Sequence, residues 1–268
     1  MKKLWIILLV FYVHELKAQE LFVYTEPASN MAAKSIGFRL NNFFMKEIQA
    51  GRINYNLIPE LMWGVSKNIM VHAEAFTGNH EGRFVAEGGS IYLKYRFFSI
   101  DEVHNHFRVA AYGRYSFNNS SIQQPAIDFF GNSSGYEGGL VATKLINKVA
   151  VSASSSLLFA TDNGHQKFLY GDRNRSAINY TLSAGKLLLP KIYTSYQQLN
   201  MNFMVEFLGQ TTAGNGHTYF DAAAAVQFIV NSRMRFDIGY RAPLVTTLYR
   251  VAPRGFIFRL EYNIFNLY

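Results

Sequence analysis

A strict alternation of apolar and polar residues from Ile53 to Phe76 is the feature that most limits how this chain can fold. Successive side chains of a β-strand point to opposite faces, so a period of two indicates strands with one apolar and one polar face. The polar triplet Ser66-Lys67-Asn68 interrupts the pattern and predicts a tight turn between two antiparallel strands. With Lys67 at the centre of this turn, Glu60 is expected to face Glu74 across the pair.

The same alternation recurs along the chain and predicts twelve strands, the first of them from Ser35 to Asn41. The connections after strands 2, 6 and 10 are tight turns, whereas those after the odd-numbered strands are longer polar loops. Strands 6 and 7 have the least regular pattern, which leaves their inward face open and predicts a β-bulge at Gly138-Gly139. An even number of antiparallel strands, with short turns on one rim and long loops on the other, is typical of outer-membrane barrels.

Charge indicates which face of the predicted strands contacts lipid. Only 16% of the residues are charged, against roughly 25% in soluble domains. The clearly assigned apolar faces contain no charged residue, and their aromatic residues cluster near the strand ends, as in the aromatic belts of membrane barrels. The polar faces are therefore expected to line the lumen, and they hold the candidate selectivity residues Glu60, His72, Glu74, Lys94, Arg96, Arg108, Arg114, Glu206, Arg235, Asp237, Arg259 and Glu261.

Residues 1–18 have the pattern of a secretory signal peptide. Lys2 and Lys3 precede an apolar stretch from Leu4 to Val13, and cleavage is expected near Ala18. Residues 19–33 show no clear pattern and are predicted to form a periplasmic lead-in, which leaves residues 34–268 for the barrel. No apolar run reaches the roughly 18 residues of a membrane-spanning helix, so a membrane-spanning form of this chain must be a closed barrel.

The predicted fold is an all-β, transmembrane, antiparallel up-and-down barrel of about 12 strands that follows a cleaved signal peptide. The sequence contains no cysteine, which excludes disulfides and thiolate metal sites, and we expect neither a cofactor nor a bound metal. The formal net charge of +8 is spread over alternating positions rather than clustered, which argues against nucleic acid as a partner.

Several segments resemble known proteins. The strand from Phe256 to Tyr262, with Tyr268 at the end of the chain, resembles the C-terminal signal that the barrel assembly machinery reads in Gram-negative outer-membrane barrels. The segments from Pro59 to Val65 and from Asn231 to Gly239 are similar to transporters of the phenol-degradation (meta-pathway) type. The resemblance extends over most of residues 34–268. It implies a bacterial outer-membrane location, lipid and the assembly machinery as partners, and uptake or efflux of small, hydrophobic molecules.

The function predicted from these patterns is an outer-membrane pore or transporter for a small-molecule solute, with a charged lumen. Glu60 and Glu74 then belong either to a salt-bridge network that stiffens the barrel or to a charged constriction that selects solutes. Basic residues outnumber acidic ones on the predicted inward faces, which favours a mild anion preference. Phe129 and Phe130, in the loop after strand 5, either fold inward as a constriction or anchor that loop on the rim.

Two other functions stay open at this level. An outer-membrane lipid-modifying hydrolase would need a serine and a histidine within hydrogen-bond reach near the long-loop rim. His80, His165 and His217 lie near that rim with Ser120 and Ser121, but no motif joins them, so no catalytic residue is predicted. The third possibility is a non-conducting structural or adhesive barrel that its own large inward side chains plug, because twelve strands lie between filled and open barrels.

Overall fold

The structure is a computed structural model that describes residues 22–79, 82–102, 105–192, 195 and 197–267. The predicted signal peptide, residues 1–18, and Tyr268 lie outside the described residues. One 3₁₀ helix, Asp172–Arg175, lies in a loop. The strands are β1 (Ser35–Lys46), β2 (Ile53–Gly64), β3 (Ile69–Gly78), β4 (Val85–Glu102), β5 (Asn105–Asn118), β6 (Gly135–Ile146), β7 (Val149–Ala160), β8 (Ser176–Leu189), β9 (Asn200–Thr212), β10 (Thr218–Val230), β11 (Met234–Thr246) and β12 (Arg254–Ile264).

The twelve strands close into a single barrel in which each strand pairs antiparallel with its neighbours in sequence. The first and last strands complete the ring, from Ile36 opposite Ile264 to Lys46 opposite Arg254. Closure leaves no unpaired sheet edge, so the backbone groups of every strand have partners within the sheet. The predicted fold class of an antiparallel barrel with twelve strands is confirmed.

The apolar faces of the strands point outward and the polar faces point into the lumen, as predicted. Leu61, Trp63 and Leu93 are exposed on the outer surface, while Asn54 and Glu60 are buried on the inner wall. The outer surface is therefore apolar, and the interior is polar, which suits a barrel that is surrounded by lipid.

Two lysines occupy outward positions that the sequence analysis left unassigned. Lys144 on β6 is paired with Phe107 and Val151, and Lys186 on β8 is paired with Val149. Both lysines lie close to the short-turn rim, where a long aliphatic stem lets the charged group reach the headgroup region.

The β-bulge predicted at Gly138-Gly139 does not occur. The register of β6 runs without a shift along both of its neighbours, so its alternation is never reset. Gly139 points inward instead, and a Cβ atom there would lie 2.7 Å from Cζ of Tyr112. The glycine makes room for an inward tyrosine ring, which is why the β6 pattern looks irregular in the sequence. The inward residues of these two strands are Glu137, Gly139, Val141, Thr143 and Leu145 on β6 and Ala150, Ser152, Ser154, Ser156 and Leu158 on β7.

Strand lengths differ from the prediction at the rims. Strand β1 continues to Lys46, beyond the predicted end at Asn41, and β4 reaches Glu102 through a register shift between Arg96 and Phe98. The longer strand β1 shortens the loop that follows it on the long-loop rim, and only two residues separate the end of the longer β4 from the start of β5. The predicted turn between β10 and β11 is confirmed, with Asn231 and Ser232 both in the left-handed region that such hairpin turns require.

The described residues contain no helix with the length and apolar character needed to cross a membrane. The buried apolar residues lie inside the barrel and form small clusters rather than one continuous core. In the largest cluster, Phe22 and Val23 pack against Leu145, Met204 and Ile257. Residues that precede the first strand therefore contribute to the interior of the barrel.

Candidate functional site

The described part of the predicted periplasmic lead-in lies inside the barrel. Residues 22–33, called the luminal segment below, carry buried apolar side chains at Phe22, Val23, Ala28 and Met31. The structure thus differs from the expectation for this part of residues 19–33. The sequence could not reveal the difference, because an irregular segment has no periodicity and its contacts are made with distant strands.

Glu206 of β9 binds the start of the luminal segment. Its carboxylate accepts hydrogen bonds from the backbone N–H groups of Val23 at 2.8 Å, Tyr24 at 3.0 Å and Thr25 at 2.9 Å, and from the Thr25 hydroxyl at 2.9 Å. One carboxylate thereby satisfies three consecutive backbone N–H groups of a segment that has no secondary structure of its own. The predicted inward residue Glu206 is therefore an anchor for this segment.

Lys94 of β4 binds the middle of the luminal segment from the opposite wall. Its Nζ donates to the carbonyl oxygens of Pro27 at 2.7 Å and Ser29 at 2.9 Å. The neighbouring Arg108 donates from Nη1 to the Ser29 hydroxyl at 2.8 Å. Two predicted luminal cations thus satisfy carbonyl and hydroxyl oxygens of a segment that has no secondary structure of its own.

Further contacts extend around the ring of strands. Arg235 of β11 donates to the Phe22 carbonyl at 2.6 Å, and Arg259 of β12 approaches the same oxygen at 3.3 Å. The N–H group of Ala28 donates to the Thr143 hydroxyl on β6 at 2.9 Å. The luminal segment is thus attached to strands on several sides of the lumen, mostly through polar groups.

A charged network surrounds Arg39 of β1. Its guanidinium lies 2.8 Å from Glu261, 3.2 Å from Glu60 and 3.0 Å from Glu26 of the luminal segment. Arg39 is paired with both Glu60 and Glu261 in the strand register, so its position follows from the alternation. The sequence analysis nevertheless left Arg39 out of the candidate site, and it could not place Glu26 in the lumen.

The predicted register across the first hairpin is confirmed, with Glu60 opposite Glu74 and the neighbouring Met62 opposite His72. The two carboxylates do not share a cation. Glu74 pairs with Arg114 at 2.9 Å and accepts a hydrogen bond from the Ser90 hydroxyl, while Glu60 pairs with Arg39. Separate guanidinium partners relieve the repulsion between two buried like charges.

His72 joins the two carboxylates into a group that could ligate a metal ion. The ligating atoms of Glu60, His72 and Glu74 lie within 4.8 Å of one another, and His72 Nδ1 is 2.5 Å from Glu60. Arg39 and Arg114 already supply positive charge to both carboxylates. A cation bound here would therefore compete with two fixed guanidinium groups.

Basic and acidic side chains in the lumen are more evenly balanced than the sequence analysis predicted when it favoured a mild anion preference. Arg235 pairs with Asp237 through Nε at 2.9 Å, and Glu26 and Glu137 add acidic groups that were not counted among the candidates. Arg96 departs from the other predicted luminal residues, because its side chain bends to the turn and donates to the Lys67 carbonyl at 2.8 Å. It is a rim residue rather than a lumen residue.

The environment of the luminal segment shifts the pKa values of its two titratable side chains. Burial by itself would raise the pKa of the Glu26 carboxyl, but the charges of Arg39 and Lys94 outweigh burial and lower it from 4.5 to about 2. Burial raises the pKa of the Tyr24 hydroxyl above its usual range. Glu26 is therefore ionised and Tyr24 is neutral at physiological pH.

The loop after β5, residues 119–134, folds into the lumen from the opposite rim. Gln210 of β9 holds its middle by accepting from the Ile127 N–H at 2.9 Å and donating to the Ile127 carbonyl at 2.7 Å. Phe129 is buried against Leu158, whereas Phe130 stays partly exposed with the Arg114 guanidinium 4.0 Å from its ring centre. Of the two placements considered for this aromatic pair, the structure shows the inward one.

A cavity of about 260 Å³ remains between the luminal segment and this inward loop. Tyr24 and Glu26 of the luminal segment, Phe129 and Phe130 of the loop, and Arg114 of the barrel wall are among its lining residues. The interior is thus divided into a part filled by the luminal segment and a space beside it. This cavity and the anchors of the luminal segment form the candidate functional site.

Comparisons with known proteins bear on the fold. An outer membrane channel from Pseudomonas putida F1 superposes with a TM-score of 0.57 at 9% identity, over 90% of this chain and 99% of that one. The NanC porin superposes with a TM-score of 0.50 at 8% identity, over 86% of this chain and its own full length. The chain has the fold of an outer-membrane barrel. Neither a protein-family model nor a curated protein matches the sequence.

Ser120, one of the serines considered for a hydrolase, is not placed as a nucleophile. The Ser120 hydroxyl is buried and donates to Asn118 Oδ1 at 2.6 Å. His165 and His217 are exposed in separate loops, and His80 lies outside the described residues. A nucleophilic serine needs its base within hydrogen-bond reach, and Ser120 is committed to an amide oxygen instead.

Proposed function

We propose that this protein is a pore or transporter for small solutes in the bacterial outer membrane, with lipid against its apolar face. The observation that carries the proposal is a polar, charged lumen occupied by a segment that polar groups on several strands hold in place, together with apolar packing of its first residues. An element that served only as a core would be held by apolar packing alone, whereas polar anchors can exchange their partners for water at modest cost. Passage of a solute then requires the luminal segment to shift.

The comparisons support the general class of this proposal, since one superposable barrel is described as an outer membrane channel and the other as a porin. We keep the narrower resemblance to transporters of the phenol-degradation type as a further part of the proposal, with small hydrophobic molecules as solutes. The C-terminal strand β12 would engage the barrel assembly machinery, in line with the resemblance of its sequence.

Conductance in planar bilayers tests the proposal directly. Glu206→Gln removes the charge that the N–H groups of Val23, Tyr24 and Thr25 bind. Because the luminal segment is then held less tightly, the conductance of the variant should exceed that of the wild type several-fold. Glu137→Gln is the matched control, because Glu137 is also luminal but accepts from Ser156 rather than from the luminal segment. The pore function would be contradicted if neither the wild type nor Glu206→Gln conducted although both barrels were correctly folded.

The buried charges give a second test, which concerns selectivity. We propose that Glu60 and Glu74 belong to the solute path, together with the other inward charges named above. The double variant with both residues changed to Gln should then shift the reversal potential in a salt gradient toward anions. An unchanged reversal potential would assign the two carboxylates to a purely structural network.

The two other functions predict different outcomes. A lipid-modifying hydrolase would release fatty acid from lipid in detergent, and that activity would vanish in a Ser121→Ala variant. Liposomes that contain a non-conducting structural barrel would not swell in small sugars, even when Glu206→Gln has loosened the luminal segment. The polar anchoring of that segment favours the pore over both alternatives.

A further inference from the structure

The cavity beside the luminal segment has two chemically different walls. One wall is formed by β10 to β12 and the loop before β12, and it carries Arg241, Arg250 and Arg259. The other wall is formed by β4 to β7 and the inward loop, and it carries the aromatic and aliphatic side chains of Tyr92, Phe129, Phe130 and Leu158 beside polar ones. Such a division suits a small ligand that is charged at one end and apolar at the other.

The arginine wall has fewer carboxylates than guanidinium groups. Arg241 donates to Asp221 at 2.6 Å, and Arg250 forms a two-pronged contact with the same carboxylate, at 2.5 and 2.7 Å. Asp221 is fully buried behind the two guanidinium groups. A single carboxylate cannot neutralise both cations, so positive charge remains on this wall.

Arg259 adds to this excess. Its hydrogen bonds go to neutral oxygens, the Asn41 amide at 2.6 Å and the Phe22 carbonyl at 3.3 Å. Its ion pair with Asp237 is long, at 3.8 Å, and Asp237 is already bonded to Arg235. Arg259 therefore faces the cavity without a close carboxylate of its own.

Two donors of cavity-lining residues lack acceptors. The Tyr24 hydroxyl and Arg250 Nε are both buried from solvent and have no hydrogen-bond partner among the described residues. Leaving a buried donor unsatisfied is unfavourable, so a ligand rich in acceptor oxygens would be stabilised here. A carboxylate meets this need, because it accepts several hydrogen bonds and carries the compensating charge.

The opposite wall is suited to a flat ring. The Arg114 guanidinium lies 4.0 Å from the ring centre of Phe130 and 5.2 Å from that of Tyr92, which leaves a layered arrangement of planar groups. Phe129 and Leu158 pack behind it. Aromatic rings favour such stacked surroundings over water.

The acidic residues that line the cavity already have partners. Glu26 pairs with Arg39, Glu137 accepts from the Ser156 hydroxyl, and both oxygens of Asp128 are bonded within the inward loop, to Phe130 N–H and Asn132 Nδ2. The donors that bind Glu137 and Asp128 here are neutral and leave the carboxylate charges in place, but the unsatisfied donors of the arginine wall do not bind these carboxylates.

We propose that the cavity binds a small aromatic carboxylate, with its carboxylate on Arg241, Arg250 and the Tyr24 hydroxyl and its ring against the aromatic wall. A dry cavity of about 150 Å³ accommodates one benzene ring, so 260 Å³ is sufficient for one ring with a carboxylate. This inference rests on the proposed function, because it names the class of solute that the transporter would carry.

The test is equilibrium binding of benzoate to the purified full-length protein in detergent, measured by saturation-transfer NMR and calorimetry. Benzamide keeps the ring without the charge, and acetate keeps the charge without the ring, so both should bind at least tenfold more weakly. Tyr24→Phe deletes a hydroxyl that has no partner in the described part of the chain and should weaken benzoate binding about tenfold without affecting folding. Tyr115→Phe, on the lipid-facing surface, is the matched control and should bind like the wild type.

Equal affinity for benzoate and benzamide, or unchanged benzoate affinity in Tyr24→Phe, would overturn the inference. Phe130→Ala gives an independent check on the ring wall, and it should weaken benzoate while leaving acetate unchanged. Liposome swelling, measured in parallel, separates this inference from the proposed function. A protein that conducts sugars but does not bind benzoate refutes only the solute class, and one that binds benzoate but never conducts refutes only the pore.

Discussion

Lys94 carries a charge on a side chain that exposes none of its surface. Removing such a charge from water costs several kcal/mol unless the surrounding groups compensate for it. Most of the compensation comes from the luminal segment, through the carbonyl oxygens of Pro27 and Ser29. The lysine and the segment therefore stabilise each other, and neither is expected to keep its arrangement alone.

We expect Lys94→Met to loosen the luminal segment by about 1–3 kcal/mol, because the variant leaves two buried carbonyl oxygens without a charged donor. Faster hydrogen exchange of residues 22–33 and a higher bilayer conductance would report the change. Lys148→Met is the control, since Lys148 also donates to two carbonyls, those of Pro190 and Lys191, but does so at the rim. Equal effects of the two substitutions would contradict a specific role for Lys94.

Acid should release the luminal segment. The pKa of Glu26 is about 2 beside Arg39 and Lys94, and it should return to about 4.5 when the segment leaves the lumen. A carboxyl whose pKa is lowered by docking favours docking fully above pH 4.5, and this contribution disappears as the pH falls toward 2. Conductance should therefore rise between pH 5 and pH 3.

The Glu26→Gln variant isolates this contribution from other titrating groups. It lacks the ionised carboxylate at every pH, so its conductance should be higher than that of the wild type at pH 7 and should change less on acidification. An identical rise in both proteins would show that other groups control the acid response.

At the scale of elements, side chains from several strands hold the inward loop against the barrel wall. Gln210 is fully buried and holds the loop at Ile127 through both ends of its amide. A second buried amide, Asn163, donates to the carbonyls of Ser120 and Asn132 and fixes the two ends of the loop. A loop closed in this way is ordered by side chains from strands and loops that are distant in sequence.

Gln210→Leu should free the middle of this loop. The variant removes two hydrogen bonds to one backbone unit, which weakens the inward state by about 1–3 kcal/mol. Limited proteolysis of reconstituted vesicles should then cut within residues 119–134. Gln227→Leu is the control, because Gln227 is equally buried but bonds Asn202 of the barrel wall. Resistance of both variants to protease would contradict the role of Gln210.

At the scale of the whole molecule, a charged residue introduced on the outward apolar band should destabilise the barrel, and more so the deeper it lies in the membrane. Leu182 lies near the middle of β8, whereas Ile146 ends β6 at the short-turn rim, and both side chains are exposed. Leu182→Arg should destabilise the barrel by about 2–4 kcal/mol and Ile146→Arg by about 0–1 kcal/mol. Urea unfolding in lipid vesicles measures the difference, and equal costs would contradict a lipid-facing band.

Many of the predicted features are local in origin. The turn centred on Lys67 fixed the register between Glu60 and Glu74, because a hairpin register follows from the position of its turn. Strand β6 was harder to interpret, since Gly139 contributes no side chain to the alternation. The space beside this glycine is occupied by the Tyr112 ring from the neighbouring strand β5. The bulge expected there was wrong for that reason.

The sequence by itself determined the twelve strands, their antiparallel order and the sidedness of every strand except β6 and β7, because alternation is a property of neighbouring residues. It also determined most inward charges, since each follows from the parity of its strand. Only the tertiary structure decided what fills the barrel. The luminal segment and the inward loop lack periodicity, and Glu206, Lys94 and Gln210 hold them through contacts between residues far apart in the chain.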